Sequence, residues 1–366
     1  MSNIAVIWPA YPYRWGIAHH TNQLANALIN AGHKVWIFTF SRQYPRFLYP
    51  GKNQIEPQWT PNPLIQSPHL FLHKMIDTLN PISWYQTAHA IIQQKPDYCL
   101  IKYWHPYFVP CFTFITWILR RNKIPIICII DNLFPHERHK GDTLLARLFF
   151  TQISRAVTQS DIVHKQFQDF FPHIPEKMIS HPVYDQFWPP VWKEEARRKL
   201  QIPIDKKVLL FFGFIRPYKG LDTLLWIMPE LIAQHPNIHL IIAGECFGSF
   251  ESYQKIIDNL CLSEYITLHL KYIPNSDIPI YFGASDLLVM PYRHITNSGI
   301  ENIGKVYANK MLLTVWISWD TLLENIIRTL STSSSQDWEA MDWESYSLHI
   351  KNFLHDKDQS FCEHFE

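Results

Sequence analysis

Arg216 and Lys219 are the residues of this chain best suited to neutralising a diphosphate. They sit in VLLFFGFIRPYKGLDTLL, residues 208–225. Residues 208–212 have the length and flanks of a buried strand, and Leu221, Leu224, Leu225 and Met228 recur at helical spacing. The order is therefore strand, basic loop, helix. In an open parallel sheet, ligands bind at the carboxyl ends of strands, where this loop falls. Arg216 offers an anion a planar fork, and Lys219 a compact point charge. Two solvated loop cations are the alternative.

Three other stretches carry chemistry. Asp131, His136 and Glu137, with Asn132 and Arg138, cluster just past the apolar run 126–130. Parallel-sheet enzymes place catalytic groups there, although a turn aspartate bonded to local N–H groups reads equally from this sequence. Ser298 and Gly299 precede an expected helix over 299–308, whose first N–H groups and dipole favour an anion. Gly16 stands before the first helix. It either lets backbone N–H groups approach a phosphate or simply makes a turn. No H-E-x-x-H or other ligand spacing occurs among the 19 histidines, so no metal site is expected. Cys99, Cys111, Cys128, Cys246, Cys261 and Cys362 form no C-x-x-C pair and read as free thiols of a reducing compartment.

Composition narrows the classes. The 366 residues suffice for two domains. Lys+Arg is 33 against Asp+Glu 32, a net charge of +1, which argues against nucleic acid as the main partner. Aromatics reach 15%, with 14 Trp, which suits core filling, sugar stacking or a membrane-facing surface. The N-terminus lacks the basic and apolar regions of a signal peptide. The apolar stretch 107–119 is shorter than the ~20 residues of a spanning helix. The expectation is a cytoplasmic protein, either free or at the inner face of a membrane.

The elements that would position these groups follow an α/β rhythm. Strands are expected at 4–8, 35–40, 98–103, 126–130 and 161–163, with helices over 18–31, 83–94, 143–157 and a stretch ending near Arg120. Residues 41–80 read as an irregular insertion. Arg42, Arg46 and Lys52 lie there among Tyr44, Phe47, Leu48 and Tyr49, a mixture that fits either a bilayer interface or an aromatic-anchored loop. A proline-bearing connector at 182–190 divides the chain. Beyond it come strands at 208–212, 238–243, 266–270, 287–290 and 311–317. The expected division is a first domain at 1–182, a second at 190–330, then a linker and a helix in 331–366.

Five motifs together resemble glycosyltransferase family 4: WGIAHHTNQLANAL, FPHERHKGD, HPVYDQF, GFIRPYKGLDTLL and MPYRHITNSGI. The resemblance implies two facing Rossmann-like domains, the GT-B architecture. It implies a retaining transferase that takes a sugar from a nucleoside-diphosphate sugar without a bound metal or other cofactor. Gly16, Arg216, Lys219, Tyr272, Ser298, Gly299 and Glu301 would then hold the donor, and Asp131, His136 and Glu137 would serve catalysis. Asp131 stands where many relatives carry a histidine. Relatives commonly carry two glutamates at the positions of Thr296 and Gly304 here, and an Arg at Phe214. The acceptor would be a glycan or a lipid-linked sugar, with peripheral membrane contact. Two other readings stay open: a non-catalytic homologue that binds a nucleotide sugar or a partner transferase, and a nucleotide-sugar epimerase on the same scaffold.

Overall fold

The computed structural model describes residues 1–14, 16–45, 54–56, 62–134, 141–182, 191–246, 248–293, 299–307, 310–315, 318–331 and 342–355. The chain divides into two compact units, Met1–Pro182 with Met341–Glu366, and Val183–Ala340.

The first unit runs β1 (Asn3–Ile7), α1 (Gly16–Asn30), β2 (Lys34–Arg42), β3 (Leu70–Asp77), α2 (Pro81–Gln93), β4 (Tyr98–Tyr103), α3 (Val109–Arg121), β5 (Ile126–Ile130), α4 (Asp142–Phe150), β6 (Arg155–Thr158), α5 (Asp161–Phe170) and β7 (Glu176–Met178). Its strands pair in parallel in the order β3-β2-β1-β4-β5-β6-β7. β4 and β5 read YCLIKY and IICII and are buried at every position, as strands covered on both faces must be. Asn80 caps α2 by accepting the Ile82 N–H at 3.0 Å, with Pro81 as the first helical residue.

Three sequence expectations change here. Residues 70–77, read as part of an irregular insertion, form the edge strand β3; its LFLHKMID carries polar residues because one edge has no partner strand. The helix expected over 143–157 stops at Phe150, and Arg155–Thr158 is a short buried strand. Asp161 opens a helix rather than a strand, because the Ser160 side chain accepts the Val163 N–H at 3.4 Å. Much of the aromatic content fills this core: Phe149 and Phe150 pack on Tyr103, and Phe112 stacks on Phe108 at 5.5 Å. Arg42 pairs with Asp77, and Tyr44 stacks on Tyr107 at 5.3 Å. Arg46, Phe47, Leu48, Tyr49 and Lys52 lie outside the described residues.

The second unit runs α6 (Lys193–Leu200), β8 (Lys207–Phe212), α7 (Leu221–Gln234), β9 (Ile238–Ala243), α8 (Glu251–Asn259), β10 (Ile266–His269), α9 (Ile278–Ala284), β11 (Leu287–Tyr292), α10 (Gly299–Val306), β12 (Lys310–Val315) and α11 (Trp319–Ser331). Its parallel sheet has the order β10-β9-β8-β11-β12. Both sheets reverse direction beside their first strand, between β1 and β4 and between β8 and β11. That reversal is the topological switch point of an open α/β sheet. The last helix, α12 (Trp343–His355), belongs to the first unit and packs on α1. Among the described residues no helix is long and apolar enough to cross a membrane.

One buried ionic knot fixes α6 to the second sheet. Asp286 accepts from Arg197 at 2.7 Å, from the Val208 N–H at 2.7 Å, and from Lys193. Arg197 is 1% exposed, and its guanidinium also reaches the carbonyls of Ala284 and Ile204. Burial alone would raise the Asp286 pKa, but these donors hold it below the usual carboxylate value. Arg197→Met should lower stability by roughly 2 kcal/mol, since it removes one of three donors to the Asp286 carboxylate and leaves two carbonyls without their donor. Denaturant unfolding of the variant checks this; an unchanged midpoint would refute it.

Candidate functional site

The second unit's switch point gathers the basic loop. β8 ends at Phe212, and the chain turns at Gly213, whose φ is +92°. A Cβ on Gly213 would sit 2.5 Å from Ile300 Cδ1 and 3.2 Å from Lys219 Nζ. The end of β8, the first turn of α10 and the Lys219 ammonium therefore meet at one point, with no room for a side chain. Gly220, with φ +71°, has the Pro291 carbonyl oxygen 1.9 Å from where its Cβ would lie. Only glycine lets the loop press on β11 this closely. The Arg293 N–H donates to the Tyr218 carbonyl at 2.7 Å, and its guanidinium pairs with Asp222 on α7. The loop is thus clamped from both sides.

Lys219 itself is 6% exposed. Among the described residues no carboxylate pairs with it, and its Nζ lies 5.7 Å from the centroid of the Tyr292 ring. Burial, reinforced by the neighbouring Arg216 guanidinium, pulls its pKa down to about 7. Arg216 is half-buried and extended, and its carbonyl accepts the Lys219 N–H at 3.0 Å. A buried cation beside a second cation is a costly arrangement that an anion would relieve.

The other expected donor residues are placed as follows. Gly299 begins α10, one residue before Ile300, whose side chain reaches the Gly213 turn. Glu301 follows in the first turn and pairs with Lys305 at 2.9 Å. Tyr272 lies just beyond the carboxyl end of β10, whose His269 carbonyl accepts the Gly244 N–H at 3.0 Å. Gly16 is the first residue of α1 in the first unit. Ser298 and Thr296 fall outside the described residues. Gly304 has a packing role, because a Cβ there would stand 2.3 Å from Met311 Sδ and 3.0 Å from Leu288 Cδ2. No larger residue fits while α10 lies this close to β11 and β12.

In the first unit, Asp131 follows β5, and its N–H donates to the Tyr103 carbonyl at 3.0 Å. Its carboxylate lies 2.7 Å from Lys102 Nζ, a cation 1% exposed and 5.3 Å from the Trp8 ring centroid. Burial lowers the Lys102 pKa and raises that of Asp131, and their mutual attraction opposes both shifts. His136 and Glu137 fall outside the described residues. Sequence reasoning missed Lys102, whose place inside an apolar strand run was the available signal. It also missed His20. That buried ring stacks on Trp8 at 5.4 Å, meets Trp343 and Tyr346 of α12 edge-on, and faces Gln159 at 3.1 Å. Burial, then Lys102 and His181, hold its pKa well below 6.5. Cys99, Cys111 and Cys128 are buried free thiols, while Cys246 is partly exposed and Cys261 exposed.

The Lys219 shift sets a signed prediction. Unfolded, the ammonium titrates near 10.4; folded, near 7. Below pH 7 both states are charged and the burial cost is fully present. Above pH 7 the unfolded state binds the extra proton, so stability rises with pH by about 1.4 kcal/mol per unit. Lys219→Met should therefore stabilise the ligand-free protein at pH 6, and the gain should shrink toward pH 9. Thermal midpoints across that range would contradict this if the variant were the less stable at pH 6.

Comparison with known proteins places this geometry. Residues 193–317, about a third of the chain, match the family model described as glycosyl transferases group 1. The GDP-mannose:glycolipid 4-beta-D-mannosyltransferase of Xanthomonas campestris pv. campestris is 25% identical over 193 residues, covering 52% of this chain and 50% of that protein. The lipopolysaccharide core biosynthesis mannosyltransferase LpsB of Rhizobium meliloti is 27% identical over 122 residues, 33% of this chain and 35% of that one. The matches span about half the length of these curated relatives, or less. Among solved structures, Anabaena HepE in complex with UDP and glucose superposes with a TM-score of 0.70 at 13% identity, covering 97% of this chain and all of that one. Sucrose-phosphate synthase from Thermosynechococcus elongatus does so with a TM-score of 0.69 at 14% identity, covering 97% and 98%. The chain thus has the two parallel-sheet Rossmann-like domains of the GT-B glycosyltransferases, and its segment 193–317, which holds the basic loop and α10, matches glycosyl transferases group 1.

Proposed function

We propose that the chain is a retaining hexosyltransferase of glycosyltransferase family 4, which moves a sugar from a nucleoside-diphosphate sugar to a glycolipid or polysaccharide acceptor. The carrying observation is the Lys219 ammonium, buried between Gly213 and the first turn of α10 with no paired carboxylate among the described residues. In transfer, the bond from the anomeric carbon to the diphosphate oxygen breaks and the nucleoside diphosphate leaves with the electron pair. The acceptor oxygen bonds that carbon and gives up its proton. Arg216, Lys219 and the N-terminus of α10 would balance the charge gathering on the leaving diphosphate. With these cations the chain needs no metal for that task. Tyr272 would border the base, and Gly16 would approach the donor from the first unit. The UDP bound in HepE supports the donor class, and the names of the two mannosyltransferases support the acceptor class.

Arg216→Ala should remove a charge-assisted contact worth on the order of 1.5–3 kcal/mol, weakening nucleoside-diphosphate binding about 10- to 150-fold. Isothermal titration with a panel of nucleotides reads this, and unchanged affinity would defeat the donor assignment. Donor hydrolysis and transfer measured on the same samples test turnover.

A second reading, binding without turnover, is favoured by two observations. Gly304 is packed where relatives carry a glutamate, and Asp131 is committed to Lys102. The role proposed for Asp131 is to orient sugar hydroxyls or steady positive charge at the anomeric carbon; His136 and Glu137 would assist from the same loop. Asp131→Asn leaves Lys102 unpaired and should cost roughly 3 kcal/mol of stability. Adding Lys102→Met should restore much of that stability. If Asp131 acts in the chemistry, transfer stays on the order of a hundredfold slow in the double variant. If the rate returns with the folding midpoint, Asp131 is structural.

A further inference from the structure

α7 and α11 both start past the carboxyl ends of strands, β8 and β12, and pack side by side on the second sheet. Their inward stripes share one apolar core, Leu224, Leu225 and Met228 of α7 with Leu322, Leu323 and Ile326 of α11. Their outward surface holds two large rings that this core does not use. Trp226 of α7 and Trp319 of α11 stack across the helix pair, with centroids 6.0 Å apart and planes 8° from parallel. Nearly parallel rings at that distance are offset, so each keeps much of its surface in water. Trp226 is 42% exposed and Trp319 53%. One exposed indole is ordinary, but two set parallel make a flat aromatic step.

The rim of this step is built of hydrogen-bonding groups. Thr223, half-buried, and Glu230, exposed, lie one turn to either side of Trp226 on its face of α7. Asp320 and Thr321 are exposed beside Trp319, and the Ser318 and Thr321 hydroxyls are 2.8 Å apart. Asp222, also one turn from Trp226, pairs with Arg293. The two helices carry four carboxylates, Asp222, Glu230, Asp320 and Glu324, against one cation, Arg328. Arg328 sits about 13 Å along α11 from Trp319 and bonds Asn325.

These groups select among occupants. An anionic ligand would meet an excess of carboxylates. An ammonium favours rings that box it in as a cage, which parallel rings do not. An apolar helix would desolvate Glu230, Asp320 and Thr321 without pairing them. A pyranose chain uses both features. The C–H groups of a sugar face lie on an indole, and the hydroxyls at the sugar's edge donate to carboxylates and hydroxyls. Parallel rings suit an extended chain, whose successive sugar planes stay close to parallel.

We propose that Trp226 and Trp319 form a glycan platform, on which an extended, neutral hexopyranose chain stacks while Glu230, Asp320 and Thr321 hold its hydroxyls. Trp226 stands about 8 Å along the helix that leaves the basic loop. The platform's role as a holder of the acceptor polysaccharide near that loop rests on the transferase reading; its binding of glycan does not. Isothermal titration with cellohexaose and with mannohexaose tests it, and at least one should bind. Trp226→Ala and Trp319→Ala should each weaken that binding about tenfold. The double variant Trp226→Tyr, Trp319→Tyr should keep most of it, with circular dichroism and nucleoside-diphosphate binding unchanged throughout. Arg216→Ala should bind glycan as the unaltered chain does, so failure of the donor reading shows only in the nucleotide titrations and failure of the platform only in the glycan ones. Absence of binding to both glycans, or equal binding by the alanine variants, would overturn the proposal. So would tighter binding of hexalysine than of either glycan, or a dimer in sedimentation velocity that Trp319→Ala dissolves.

Discussion

A cation held out of water, with no paired carboxylate among the described residues, is the constraint around which the second unit is arranged. Lys219 reaches that position because Gly213 and Gly220 let the chain turn at positive φ and press on α10 and β11. Each close approach depends on the next. Gly244 fits only because no side chain separates it from the Gly213 carbonyl, 1.9 Å from where its Cβ would stand. The fully buried and largely apolar strands β9 and β11 beneath must offset the cost. A residue that weakens the fold when empty and gains a partner when an anion arrives has the energetic profile of a binding group.

The first unit solves a similar problem differently. Lys102 is buried as deeply, but Asp131 neutralises it and the Trp8 ring covers it. The two switch points thus differ in kind. One is closed by its own ion pair, whereas at the other no carboxylate among the described residues pairs with Lys219. The difference explains why the basic loop and α10, rather than the Asp131 region, carry the functional argument. It also explains why a carboxylate at the end of β5 is not evidence of catalysis until its tie to Lys102 is separated from its chemistry.

The strands that position the basic loop and Asp131 were legible because parallel strands buried on both faces must be apolar throughout, and 208–212 and 126–130 are. β3 and β7 escaped because an edge strand tolerates polar residues, so LFLHKMID and EKM lack that signature. β6 escaped because its four residues hide between two helices. The Arg216–Lys219 spacing showed a candidate site, but it could not show that Lys219 is buried, since that depends on Gly213 meeting Ile300 across nearly ninety residues of sequence. The aromatic excess was ambiguous in composition alone; the packed rings around Phe108, Phe112 and Phe150 assign much of it to the core.

α12 lies on the far side of the second unit in sequence yet completes the first, covering His20 with Trp343 and Tyr346 and offering the Phe353 carbonyl to Arg155. The second unit is therefore nested inside the first along the chain. During synthesis it can fold while its host is still missing a wall. The His20 nest stays open to solvent until the final helix leaves the ribosome. Domains that emerge whole fold in N-to-C order; here the earlier one is completed after the later one, and a chain halted between residues 331 and 343 would carry a formed basic loop and a first unit without its α12 wall.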